Sequence, residues 1–321
     1  MIKLSVVIPC FRSEQFIENT INDVVNALES IENIDYELIL VSDASPDATY
    51  ELIEKYSRYN HRIIGIELSR NFGQHSALLA GYRLTSGDYV ISMDDDGQTP
   101  ATGIPILLSE LLKGYDVVFA RYPNIVQTRF RRFGSMVNQK MMDWLLDKPK
   151  SIATTSFFIF NRFICNEICA ATSPYPYIAG LIFRVTRNVS NVWIEQKERS
   201  AGKSGYSLRK LISLWLNGFT SFSVKPMRIS TFVGIAISFL GLIGIILVFV
   251  NKFIHPDAPL GYSSMMMTML LLGGAVIFML GIVGEYIGRI FISINNPPQY
   301  AVRRKTPAIE NCVSDEPAMK E

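Results

Sequence analysis

Near the start of the chain, short apolar runs alternate with longer stretches in which apolar residues recur every three or four positions. "KLSVVIPCF", "YELILVSDAS", "RIIGIELS", "DYVISMDDD" and "YDVVFARY" carry nearly continuous apolar runs. A run of this kind with no polar face predicts a strand covered on both sides. Between them, "EQFIENTINDVVNALESI" puts Phe16, Ile17, Ile21, Val24, Val25 and Leu28 at helical spacing. "DATYELIEKYSRY", "HSALLAGYRLT" and "GIPILLSELLKG" read as further helices. Strand–helix alternation predicts an α/β fold, a mostly parallel sheet covered by helices. Ligands of such sheets bind beyond the carboxyl ends of the strands. Pro9 to Glu14, Asp43, and Asp94 to Asp96 all fall there.

The pattern changes toward the other end. Ile229 to Val250 runs for 22 residues without a charge, and Met265 to Gly284 is a second such run. At about 1.5 Å per residue the first crosses a hydrocarbon core of about 30 Å. A buried core helix is the competing reading, but both runs exceed the roughly 18 residues that mark a span. Gly241, Gly244, Gly273, Gly274, Gly281 and Gly284 suit close helix packing in lipid. Lys225 and Arg228 precede the first run, and Arg289, Arg303, Arg304 and Lys305 follow the second. The connecting loop carries only Lys252 and Asp257 as full charges. The positive-inside rule then predicts both termini in the cytoplasm and the short loop outside. "GYSLRKLISLWLNGFTSFSVKP" fits an interfacial helix with Trp215 near the headgroups, or else a surface helix packed on its own domain. The expected organisation is a cytoplasmic domain over residues 1–205 and an interfacial helix with linker over 206–228. Two transmembrane helices with a short external loop follow over 229–292, then a cytoplasmic tail over 293–321.

Composition removes several classes. The 321 residues carry a formal net charge of +2, so no global basic field points to nucleic acid. Four cysteines in a chain of this length, Cys10, Cys165, Cys169 and Cys312, do not make a disulfide framework. Two thiols at 165 and 169 do not fill a zinc site. After Met1 the residues read directly as a strand rather than a signal peptide, so the N-terminal domain is expected to stay in the cytoplasm. Neither a G-x-G-x-x-G turn nor a Walker lysine loop is present, which argues against a dinucleotide oxidoreductase and a P-loop NTPase.

What remains is an acidic cluster at a strand end. Asp94, Asp95 and Asp96 repel one another at neutral pH. Hard oxygen ligands of this kind suit Mg²⁺ or Mn²⁺, which binds through one or two carboxylates and keeps charge for substrate phosphates. Asp94 and Asp96 alternate on one face of the chain, and Gln98 can add an amide oxygen. The plainer reading is a solvated acidic turn. Arg121 closes the fifth apolar run, "RFRRFGSMVNQK" follows with Arg129, Arg131, Arg132 and Ser135, and "RSAGKSGYS" adds Arg199, Lys203 and Ser204. Arginine forks hold phosphate well. One metal site and two basic patches beside a membrane point to two phosphorylated substrates, one of them in lipid.

The ordered set "VVIPCFRSEQFI", "ILVSDASPDAT", "LSRNFGQHSALLAGY", "GDYVISMDDDGQTP", "RSAGKSGYSLRKLI" and "GEYIGRIF" resembles the polyprenyl-phosphate glycosyltransferases of glycosyltransferase family 2. These include dolichol-phosphate mannose synthases. The closer likeness is to bacterial undecaprenyl-phosphate transferases with two C-terminal spans, of the glucosyltransferase and formyl-aminoarabinose types. The resemblance covers about residues 2 to 300 and implies a GT-A-like nucleotide-sugar-binding sheet. It implies that Pro9, Glu14 and Asp43 cradle the base and ribose of the donor. Asp94 and Asp96 match the D-x-D pair at the diphosphate and metal, and Gln98 a metal neighbour. Arg121 looks like an acceptor-phosphate contact and is also grouped with the donor residues. Arg131 and Ser135 match acceptor-phosphate contacts, and Arg199 and Ser204 lie in the basic loop over the diphosphate. Glu285 and Arg289 fall in the "GEYIGR" signature. The chain departs from the pattern at Gly97, at Ser156 where glucosyltransferase relatives often carry Asp, and at Gly205 where "SKY" is usual.

The implied reaction is inverting transfer of a sugar from a nucleotide sugar to polyprenyl phosphate, with Asp94, Asp96 and Arg131 in the catalytic roles and Mg²⁺ or Mn²⁺ as cofactor. UDP-glucose is the first expectation for the donor. UDP-galactose, a UDP-N-acetylhexosamine, UDP-formyl-aminoarabinose and GDP-mannose are alternatives. The implied location is the bacterial cytoplasmic membrane, with self-association through the glycine-rich spans. His75, one of only three histidines, is expected to orient a loop or helix. A processive polysaccharide synthase would need more spans and a "QxxRW" motif, and neither is present. A nucleotide-sugar-binding scaffold without activity is the alternative from another class.

Overall fold

The computed structural model describes residues 1–95, 97, 99–123, 149, 152–174, 176–195, 225–254, 261–295 and 297–307. The chain divides into two units, one of residues 1–204 with 296–321 and the other of 205–295.

The first unit is built on an eight-stranded sheet. In chain order its strands are β1 (Ile2–Cys10), β2 (Ile34–Ser42), β3 (Ile63–Leu68), β4 (Tyr89–Ser92), β5 (Val117–Arg121), β6 (Phe158–Asn161), β7 (Val189–Trp193) and β8 (Val302–Lys305). Across the sheet they run β7-β5-β6-β4-β1-β2-β3-β8. The helices are α1 (Ile17–Glu29), α2 (Thr49–Tyr59), α3 (Gln74–Tyr82), α4 (Ile104–Leu111), α5 (Arg162–Cys169) and α6 (Ile178–Val185).

Side-chain alternation along the strands makes two cores. Leu4, Val6, Ile8 and Cys10 of β1 and Leu38 and Leu40 of β2 pack with α1, α2 and α4. Val7, Ile39 and Val41 point the other way and pack with α3, α5 and α6. These side chains are fully buried, each worth about 1.5–3 kcal/mol for an aliphatic residue. Close approach matters at Gly81, where a Cβ would come within 2.4 Å of Val7 Cγ1, so α3 lies tight on β1 and β2.

The five apolar runs form β1 to β5 as the pattern predicts, and β1, β2, β3 and β4 pair in parallel. The sheet departs from a purely parallel one at both sides. β6 inserts between β4 and β5 and is antiparallel to each. β7 pairs in parallel with β5, and β8 is antiparallel to β3.

β8 comes from beyond the second unit, in the segment expected to be a tail. Gln299 Nε2 donates to the carbonyls of Ala171 (2.8 Å) and Ser173 (2.7 Å), and Arg83 donates to its Oε1 at 2.8 Å. Gly65 and Thr306 exchange two bonds of 2.9 Å, one through the Thr306 hydroxyl and one between backbones. Arg304 forks onto Glu67 at 2.6 and 3.0 Å and covers the Tyr50 ring at 4.3 Å.

The second unit holds α7 (Lys225–Ile254) and α8 (Tyr262–Ile294). The two uncharged runs lie within these helices. Leu271–Ile294, with mean hydropathy 1.9 and none of its window buried, is the one segment among the described residues long and apolar enough to cross a membrane. Of the two spans expected, one therefore meets that test. The other run lies in α7, several of whose side chains are outside the described residues. Glu285 and Arg289, one turn apart on α8, form an ion pair of 2.7 Å.

Candidate active site

Four strand ends of the first unit point the same way and carry the polar residues. β1 ends in Pro9 and Cys10, and Pro9 pairs with Val41 of β2. The chain then turns through Arg12 at φ 59°, and after β2 through Ala44 at φ 52°. Left-handed backbone at a non-glycine residue costs about 1 kcal/mol or more and is often kept at ligand-binding loops. Here Arg12 N–H is fixed by the Ser45 hydroxyl at 2.7 Å, which joins the two loops.

Asp43 follows β2 and is 3% exposed. Its two carboxylate oxygens accept the backbone N–H groups of Phe72 (2.7 Å) and Gly73 (2.8 Å). Burial raises its carboxyl above the usual range, partly offset by those two bonds. Asp43 thus pins the turn that enters α3. Glu14 is exposed and accepts the Ala48 N–H at 3.4 Å, while its own N–H goes to Asp47 at 3.2 Å. Burial raises Asp47, but the bonds from Ser45, Thr49 and Glu14 outweigh it and hold the carboxyl below its usual value.

Beyond β4 the neighbouring aspartates take different work. Asp94 Oδ1 accepts Gln74 Nε2 at 2.7 Å, and its Oδ2 accepts the Ser156 hydroxyl. Asp95 accepts the Ser13 hydroxyl and, at 3.2 Å, the Phe11 N–H. Burial, with the nearby charge of Asp94, pushes the Asp95 carboxyl up to about 6 against those bonds. Asp95 ties the end of β4 to the loop after β1. Sequence reasoning gave it no separate role, because three identical residues in a row hide which one turns inward.

The strand registers explain what stands beside Asp94. In the antiparallel β4–β6 pair Ser92 faces Phe158. Two residues further on, Asp94 faces Ser156. The β5–β6 register, in which Phe119 faces Phe158, carries Arg121 toward the same Ser156. Arg121 faces Trp193 on β7 and stacks over its ring at 4.5 Å. Arg121 and Trp193 are thus register partners on β5 and β7, while Asp94 and Ser156 meet through their side chains just beyond the paired ends of β4 and β6.

His75, in the first turn of α3, meets the Tyr177 ring edge-on at 5.0 Å. Its Nδ1 is buried with no hydrogen-bond partner among the described residues, and burial lowers its pKa to about 4. It is neutral at pH 7 and too weak a base to serve as a proton acceptor there. An unfolded histidine titrates near 6.5. Above that value both states are neutral. As pH falls from 6.5 toward 4 the unfolded chain takes the proton first, so stability is lost across that window. His75→Phe is expected to remove about 3 kcal/mol of acid sensitivity by pH 4, read as a flatter dependence of Tm on pH. An unchanged profile would show that the ring is protonated in place.

Asp96, Gln98, Arg131, Ser135, Arg199 and Ser204 lie outside the described residues. Among the described residues no three His, Cys, Asp or Glu side chains form a metal-holding group. Asp94, just past β4, offers carboxylate oxygens, the ligand type a hard cation takes, and they accept from Gln74 and Ser156.

An α/β sheet with carboxylates and an arginine along its carboxyl edge is an architecture of nucleotide-ligand enzymes. The sequence matches glycosyl transferase family 2 over residues 5–169 and the GtrB C-terminal hairpin over residues 225–290. The chain belongs to glycosyl transferase family 2 and is a glycosyltransferase. It is 30% identical to the glycosyltransferase YkcC of Bacillus subtilis, over 97% of this chain and 96% of the relative. It is 30% identical to the undecaprenyl-phosphate 4-deoxy-4-formamido-L-arabinose transferase of Proteus mirabilis, over 94% and 93%. With the SfII prophage-derived bactoprenol glucosyl transferase of Shigella flexneri it shares 28% identity over 94% and 98%. Among solved structures, glucosyl-3-phosphoglycerate synthase of Mycobacterium tuberculosis aligns with a TM-score of 0.49 at 19% identity, covering 68% of this chain and 80% of that one.

Proposed function

We propose that this glycosyltransferase moves a sugar, glucose from UDP-glucose as the first candidate, onto a polyprenyl phosphate such as undecaprenyl phosphate at the cytoplasmic face of a membrane. The observation that carries the reading is the extent of the likeness. Transferases named for undecaprenyl phosphate and bactoprenol match over more than nine-tenths of the chain, hairpin included. α7 and α8 then serve as two spans. The galactosyl, N-acetylhexosaminyl, formyl-aminoarabinosyl and mannosyl donors belong to the same reaction class.

In this reaction a phosphate oxygen of the lipid attacks the anomeric carbon. A new carbon–oxygen bond forms, the bond to the nucleoside diphosphate breaks, and its electron pair leaves with the diphosphate. Configuration at the carbon inverts. A phosphate monoester with a second pKa of about 6 is already mostly dianionic at pH 7, so no side chain need take a proton from it. That agrees with the buried, weakly basic His75. Pro9 near the end of β1, Glu14 in the loop that follows it and Asp43 just after β2 are assigned to the nucleoside, and Arg121, Arg199 and Ser204 to the donor phosphates. Arg131 and Ser135 orient the acceptor phosphate, and positioning of this kind supplies a large share of catalysis. Asp96 and Gln98, with Asp94 beside them, would hold Mg²⁺ or Mn²⁺, which when bound offsets the charge growing on the leaving diphosphate.

The test is a transfer assay. Purified protein in detergent receives undecaprenyl phosphate, Mg²⁺ or Mn²⁺ and a panel of nucleotide sugars, and the lipid product is weighed by mass spectrometry. A gain of one hexose from one donor, lost with chelator, is the expected result. Absence of product from every donor while nucleotide still binds would favour a scaffold.

A further inference from the structure

The Asp94 carboxylate is gripped from two sides by residues placed there by the backbone. Asp94 stands two residues past Ser92 and Ser156 two residues before Phe158, the last register pair of β4 and β6, and there the Ser156 hydroxyl donates to Asp94 Oδ2. Gln74 is the first residue of α3, and the entrance to α3 is pinned by Asp43 through the N–H groups of Phe72 and Gly73. Gln74 Nε2 reaches Asp94 Oδ1 at 2.7 Å from that fixed start. A carboxylate turns easily about its last torsion, and one hydrogen bond leaves that rotation soft. Two bonds, one to each oxygen, from the first residue of α3 and from the segment that leads into β6, fix its plane. Gln74 and Ser156 are both neutral donors and bring no charge of their own to the carboxylate.

We propose that Gln74 and Ser156 are positioning residues that hold the Asp94 carboxylate in the orientation the donor nucleotide sugar requires, so that donor use depends on them and acceptor use does not. This rests on the reading of Asp94 as a donor-site carboxylate. The Ser156 hydroxyl donates to Asp94 and adds no charge beside it.

The experiment uses the full chain in detergent. Initial rates are measured with nucleotide sugar and undecaprenyl phosphate varied in turn, beside calorimetric titration with UDP in the presence of Mn²⁺. Gln74→Ala and Ser156→Ala are each expected to lower kcat/KM for the donor about tenfold, with the acceptor KM unchanged. Gln74 is exposed, so its variant keeps the wild-type Tm. Ser156→Thr, which retains the hydroxyl, recovers most of the loss. In an Asp94→Ala background, adding Gln74→Ala leaves UDP affinity where it was, because Gln74 acts through Asp94. A further loss in that background overturns the proposal, as do equal rises in both KM values or wild-type kinetics in both alanine variants. A wild type that binds UDP but transfers nothing overturns the transferase reading alone, and the UDP titrations of the variants then decide the clamp. A wild type that binds no nucleotide overturns both.

Discussion

Asp94→Asn and Asp96→Ala each leave a folded protein whose sugar transfer is lower by on the order of 10²-fold or more. The Asn variant is the sharper of the two. It keeps the size of the side chain and can still accept from Gln74 or Ser156, but it lacks the charge that the proposed donor site requires. Its fold should not suffer, because one of three successive carboxylates is removed and their mutual repulsion falls. The measurement is the initial rate at saturating donor and acceptor, with Tm as the control for folding. A rate within a factor of about three of wild type in Asp94→Asn would remove charge at Asp94 from the mechanism. The same outcome in Asp96→Ala would sink the metal assignment.

Deletion of residues 297–321 strips the β3 edge and is expected to lower the stability of the first unit by about 3 kcal/mol, or roughly 10 °C in Tm. The loss sums the β8 ladder, the paired bonds between Gly65 and Thr306, and the Arg304 fork that covers the nearly buried Glu67. An uncovered edge is also a template for pairing with another chain. Thermal unfolding followed with light scattering reads both effects. A deletion variant with wild-type Tm and no added scattering would show that β8 is an ornament of the sheet. Thr306→Val is the finer probe, because it leaves the buried Gly65 N–H without its side-chain acceptor, at about 1–3 kcal/mol.

β1 to β5 are legible because both faces of those strands are covered, which writes an apolar run into the sequence. β6 is four residues long, and a run such as "FIFN" is as compatible with a helix turn as with a strand. Its place between β4 and β5 depends on pairing across more than sixty residues, which no local pattern records. β8 reads "VRRK" and is exposed along its whole length, so it has no apolar face to announce it. It exists because β3 offers an edge. The same division runs through the site. Asp43 and Asp94 stand out as carboxylates at the ends of buried strands. Gln74 and Ser156 are ordinary polar residues in the sequence, and only helix entry and strand register bring them to Asp94. Ser156 was visible only as a departure from its relatives.

The order of synthesis gives the return of the chain a further meaning. β1 to β7 emerge first, then both long helices, and only afterwards the residues that close the sheet beside β3. Until that moment the nascent first unit is one strand short. Its completion is deferred until the hairpin has been made, so a chain interrupted within α7 or α8 presents a bare edge that pairing partners and proteases can find.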